Sequence, residues 1–67
     1  MKLMINGEAV KVPNSLESIT DLLKHLNLHD QVVIAEVNEE IINNQKQSET
    51  QIKENDKIEL VRFVGGG

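Results

Sequence analysis

Sixty-seven residues allow one small domain, with no room for a cofactor domain beside a substrate domain, and the absence of cysteine leaves the core to hydrophobic burial alone. The apolar 39% is almost wholly aliphatic, with seven Ile, seven Val, seven Leu and the single aromatic Phe63, enough for a globular fold and too much for a disordered chain. A net charge of -4, without clustered cations or stacking aromatics, speaks against nucleic acid as a partner. No apolar run approaches the roughly 20 residues of a membrane span, and no signal peptide is expected, because only Leu3-Met4-Ile5 separates Lys2 from Asn6-Gly7. These features predict a soluble cytoplasmic domain whose partners are proteins.

The chain opens on Lys2-Leu3-Met4-Ile5, Asn6-Gly7 and Glu8-Ala9-Val10-Lys11-Val12. Asn-Gly between alternating segments predicts a two-residue hairpin, since a type I′ turn needs positive φ at both central residues. In that register Ile5 faces Glu8, Leu3 faces Val10 and Met1 faces Val12, so Leu3, Ile5, Val10 and Val12 share an apolar face. Lys2, Met4, Ala9 and Lys11 share the other, and Pro13 ends the second strand. Ile19, Leu22, Leu23 and Leu26 then follow i, i+3, i+4, i+7 spacing, which predicts a helix over 19–26 with its apolar stripe on the hairpin. Ser18 is its expected N-cap, Asp21 the carboxylate at its third position, and Leu28 a hydrophobic contact folded back past Asn27.

Val32 to Val37 is β-branched and apolar on both faces, which predicts a strand with neighbours on both sides but leaves the facing of Ile34 and Ala35 open. Asn38-Glu39-Glu40 reads as a turn into a short strand at Ile41-Ile42. From Asn43 to Gln51 the chain is polar and without period, a surface connection, with Ile52 as one apolar anchor and Glu54-Asn55-Asp56 as another turn. The last strand, Lys57 to Val64, places Ile58 and Leu60 inside and Val61 and Phe63 outside. Arg62 falls in the inward register, so the strand is expected to have passed the core by that point. The layout is an α+β roll of four or five strands covered on one face by a single helix.

Several side chains admit a chemical reading. His25 and His29 have the i, i+4 spacing of a zinc pair, but the helix breaks between them and no third ligand is near, which favours surface histidines. Glu36, Glu39, Glu40, Glu54, Asp56 and Glu59 form an acidic, solvated surface that also steers association with a basic partner; none has the pocket of an acid–base pair. Val61 and Phe63 are either an exposed apolar patch for docking partners or a minor second cluster with Met4.

The chain closes on Val64-Gly65-Gly66-Gly67. With the hairpin, helix, central strand pair and acidic turn before it, Ile58-Glu59-Leu60-Val61-Arg62-Phe63-Val64-Gly65-Gly66-Gly67 resembles the end of the ThiS family, sulfur carriers of thiamin biosynthesis. Leu3-Met4-Ile5-Asn6-Gly7 and Val37-Asn38-Glu39-Glu40-Ile41-Ile42 fit the same family. The resemblance implies a ubiquitin-like β-grasp domain over residues 1–64 with a mixed sheet, and a flexible glycine tail over 65–67. It implies that Gly67 is the modified residue, that Gly65 and Gly66 give access to it, and that Val61, Phe63 and Val64 meet the partners. Those partners would be an E1-like, ThiF-like adenylyltransferase using ATP and magnesium and a ThiG-like thiazole synthase, with no cofactor bound by this chain and no catalysis of its own.

The chemistry of such a tail can be argued separately. An ionised terminal carboxylate, with a reference pKa of roughly 3.3–3.7, is a poor electrophile and must be activated inside a partner that excludes water. Glycine lacks a Cβ and lets the partner's backbone close around it, and three extended residues reach roughly 10 Å. Alternative readings are a MoaD-like small subunit of molybdopterin synthase, a ubiquitin-like modifier joined to target lysines, and a binding module with an idle tail. The proline-rich approach common in the first is missing from Arg62-Phe63-Val64-Gly65.

Overall fold

The computed structural model of the chain describes residues 1–62, and its opening turn is the one that Asn-Gly dictates. Asn6 and Gly7 stand at φ 51° and 82°, the left-handed pair of a type I′ hairpin. β1 (Lys2–Ile5) and β2 (Glu8–Lys11) pair antiparallel with Leu3 opposite Val10 and Ile5 opposite Glu8. Beyond the strand ends, Val12 N–H donates to Met1 O at 2.8 Å. Leu3, Ile5 and Val12 are buried and Val10 is half-buried, so one face of the hairpin is apolar as the alternation requires.

That face is covered by α1 (Ile19–His25), whose Ile19, Leu22 and Leu23 are buried. Seven residues are too few to hold a helix by propensity, and its ends are closely supported. Each of the four amide donors at its start has a partner. Ser18 N–H donates to the Asp21 carboxylate at 3.2 Å and Asp21 N–H to Ser18 Oγ at 3.1 Å, a capping box. Ile19 N–H donates to Thr50 O at 3.0 Å and Thr20 N–H to Gln47 O at 3.2 Å. At the other end Leu26 is the cap and Asn27 takes φ 61°. Leu28 N–H then returns to Leu23 O at 2.7 Å and Asn27 N–H to Lys24 O at 3.1 Å, a Schellman closure that seats Leu28 against the core.

The Asp21 carboxylate is held below the ordinary carboxylate range, first by the Glu17 N–H (3.0 Å) and then by the Ser18 N–H. A carboxyl whose pKa is depressed by folding stabilises the native state above its unfolded pKa, and that contribution is lost as pH falls through the folded value. Asp21→Asn should therefore flatten the acid limb of the stability–pH profile below about pH 4 while changing little of its shape near neutrality. Urea midpoints for the two proteins across the acid range measure this.

The strand order is β2-β1-β5-β3-β4. β5 (Lys57–Arg62) runs parallel to β1 on one side and antiparallel to β3 (Val33–Val37) on the other. β4 (Glu40–Ile42) closes the edge beside β3. The facing of β3 is settled by which side α1 covers: Val33 and Ala35 are 2% and 0% exposed and point to the helix, while Ile34 points away. Val32 precedes the strand and is exposed. The β3–β4 turn uses Asn38 and Glu39 at φ 50° and 74°. Ile58, Leu60 and Ile52 complete the core with the hairpin and helix residues.

The connection from Asn43 to Gln51 is more than a surface link. Asn43 Oδ1 accepts from Lys46 N–H at 3.0 Å and caps a 3-10 turn at Asn44–Lys46. Gln47 is buried, and its Nε2 donates to Val33 O at 3.1 Å. This order comes from hydrogen bonds between polar groups distant in the chain, which leave no periodic trace.

Candidate functional site

The candidate site begins where β5 leaves the core. Ile58 and Leu60 are buried and Val61 is 54% exposed on the face opposite the helix, as the alternation predicts. Arg62, in the inward register, is exposed and donates to Gln31 Oε1 at 3.4 Å. The strand has passed the edge of the core by then. Phe63, Val64, Gly65, Gly66 and Gly67 lie outside the described residues, as does the 64/65 domain boundary. Of the expected docking positions, Val61 alone falls within them.

Val61 has neighbours that the sequence pattern did not assign to it. Ile34 on β3 is its direct cross-strand partner and is 38% exposed. Ile41, 68% exposed, shares this face because it pairs with Glu36, and it lies diagonally across from Ile34. The outer sheet face therefore carries an apolar strip across β4, β3 and β5. Next to it Glu36 and Glu59 face each other across β3 and β5, a like-charge pair that costs the free protein stability and favours cationic groups near the strip.

β5 is positioned by two asparagines, each in the left-handed conformation at a hairpin turn. At its start, Asn38 Oδ1 accepts from Lys57 N–H and Asn38 Nδ2 donates to Asp56 Oδ1, both at 3.0 Å. Further along, Asn6 Oδ1 accepts from Leu60 N–H at 2.8 Å while Asn6 Nδ2 donates to Leu60 O at 3.2 Å. β5 is thus braced at both Lys57 and Leu60.

The remaining candidates do not converge. His25 and His29 are exposed, and His29 Nε2 is 3.6 Å from an Asp30 oxygen. Among the described residues no three His, Cys, Asp or Glu side chains group as a metal site. Two surface concavities flank α1: one is lined by Glu17, Ser18, Thr20, Asp21, Lys24, Ser48, Glu49 and Gln51, the other by Pro13, Ser15, Leu16, Asp21, Lys24 and His25. Their Asp21 and Ser18 side chains are engaged in the helix cap. Among the described residues no helix is long and apolar enough to cross a membrane.

A five-stranded mixed sheet grasping one helix, with its last strand running out of the core, defines a ubiquitin-like β-grasp protein. The crystal structure of the thiamine biosynthesis protein ThiS from Geobacter metallireducens superposes with a TM-score of 0.83 at 30% identity, covering 100% of both chains. The ThiS family model matches residues 3–67, and the chain belongs to that family. It is 42% identical over 65 residues to the sulfur carrier protein ThiS of Bacillus subtilis (strain 168), covering 97% of this chain and 98% of that one. It is also 36% identical over 67 residues to a thiazole synthase of Paramagnetospirillum magneticum, where all of this chain matches 20% of the longer protein. The chain is thus a homologue of the ThiS sulfur carriers of thiamin biosynthesis.

Proposed function

We propose that this carrier works through the carboxylate of Gly67, which an E1-like, ThiF-like enzyme converts to an acyl adenylate with ATP and magnesium. The outer sulfur of a cysteine-derived persulfide then displaces AMP to give an acyl persulfide. A second thiol cleaves its S–S bond by forming a disulfide with the donor cysteine, and the released thiocarboxylate gives its sulfur to a ThiG-like thiazole synthase. Activation is needed because the ionised carboxylate resists nucleophiles, whereas a mixed anhydride with AMP carries a good leaving group. This chain is carrier and co-substrate; the catalytic groups and the ATP and magnesium sites belong to the partners, in the cytoplasm. The absence of cysteine suits the role, since no internal thiol can capture the activated terminus. Gly65 and Gly66 thread the partner's passage, and Val61, Phe63 and Val64 dock beside it, with Ile34 extending the patch.

The observation carrying this reading is the match to the Bacillus sulfur carrier over 98% of its length. The match to part of a thiazole synthase favours the thiazole route, because it places a segment like this chain in one polypeptide with that activity. Incubation with an activating enzyme, ATP, magnesium and a sulfur donor should raise the intact mass by the exchange of one oxygen for sulfur. A ladder of larger conjugates, or no change, would overturn it.

A further inference from the structure

β1 and β5 share only two registered pairs, Met4 with Lys57 and Ile5 with Ile58. At Asn6 the first strand turns away into its hairpin. β5 continues, and its next inward residue, Leu60, is the last of the buried core within β5. The Leu60 backbone is nevertheless paired on this side, because the Asn6 carboxamide stands in for a strand residue by accepting the Leu60 N–H and donating to the Leu60 carbonyl. On its other side Leu60 faces Ala35. The side chain lengthens the parallel ladder by one step and ends it one residue before Val61.

The turn does not itself require this side chain. At φ 51° glycine has no steric penalty, and asparagine is one of the few other residues that enter the region readily. What glycine lacks is a group that both donates and accepts at this reach; aspartate keeps the acceptor and loses the donor. We propose that Asn6 is a positioning residue for presentation of the end of β5: its two bonds to Leu60 hold the β1 side of the strand where the parallel ladder ends, while β3 pairs the other side through Arg62, so that Val61 meets the activating enzyme in a fixed orientation. This deepens the sulfur-carrier reading and rests on it. Preorganisation lowers the cost of ordering on binding, so losing it should act on the carrier's KM and leave kcat nearly unchanged.

The test compares wild type, N6G and N6D by amide hydrogen exchange at Leu60 and by the kinetics of thiocarboxylate formation with a ThiF-like enzyme. N6G should keep its far-UV spectrum, speed exchange at Leu60 about tenfold, and lower kcat/KM about tenfold through KM, the net weight of the two hydrogen bonds lost. N6D should keep the Leu60 amide protected and fall between the two in kcat/KM. A role confined to the turn predicts the opposite order, with N6G equal to or better than wild type, and that result would overturn the proposal. So would unchanged exchange at Leu60 in N6G. Should N6G lose its fold, N6D decides, and its kcat/KM equalling wild type overturns the proposal. Wild type that never gains sulfur overturns the carrier reading along with this one; wild type that converts as fast as N6G overturns the clamp alone.

Discussion

Deleting Gly67, or adding one alanine after it, should abolish sulfur acquisition and leave the fold and its stability unchanged. The two halves of this result have separate causes. Among the described residues the buried core lies between Leu3 and Leu60, and chain termini are where changes are best tolerated. Chemistry should fail because deletion sets the terminal carboxylate one residue short of the activating phosphate, while extension turns the Gly67 carboxylate into a peptide carbonyl and carries the new carboxylate one residue too far. A shift of even 1 Å from attack geometry costs about a hundredfold, and one residue of extended chain is about 3.3 Å. Val61→Asp should fail differently, by raising KM through a charge placed in the apolar strip while the terminus stays chemically competent. Intact mass at saturating enzyme separates the two: the Val61 variant converts and the Gly67 variants do not. Conversion of an uncleaved, extended chain would remove Gly67 from the mechanism.

Much of the fold is legible in the sequence because its local signals agree with its global packing. Asn6-Gly7 sets the first hairpin and its register, and Ser18 with Asp21 sets the helix start. Asn27 and Leu28 mark its closure. The facing of β3 is not legible there, since Val33, Ile34 and Ala35 are all apolar and only the position of α1 distinguishes them. Ile34 therefore joins Val61 only once the β3–β5 register is known. Gln47 and Asn6 escape for a different reason: each acts through a carboxamide bonded to backbone far away in sequence, Val33 for one and Leu60 for the other. Asn-Gly is explained completely by the turn, so nothing in the sequence points to a second task for the asparagine side chain. The glycine terminus is the converse, conspicuous in composition and outside the described residues.

Leu22→Ala should cost about 3 kcal/mol, within the range for truncating a buried leucine, and shift the unfolding midpoint to much lower urea. Leu22 is fully buried, on the helical face that meets the inner face of the sheet. Total stability for a domain of this size is on the order of 3–10 kcal/mol, so one cavity removes a large share of it. Three features keep the loss from being absorbed. Cysteine is absent, so no disulfide limits the unfolded state. Among the described residues the clustered core consists of Leu, Ile, Val and Ala side chains, with no larger ring to shift into the gap. A seven-residue helix is held by packing and caps, so loosening Leu22 also loosens the loop carbonyls of Gln47 and Thr50 that bind the helix N-terminus. Leu22→Met, which conserves volume, should cost less than about 1.5 kcal/mol. Far-UV circular dichroism in urea is the measurement of choice, as the chain has no Trp or Tyr. Sulfur acquisition by the alanine variant should fall in proportion to its folded fraction and recover on cooling toward the temperature of maximum stability. An alanine variant that loses less than about 1 kcal/mol would mean that the helix is held chiefly by its caps and the 43–51 connection rather than by its apolar stripe.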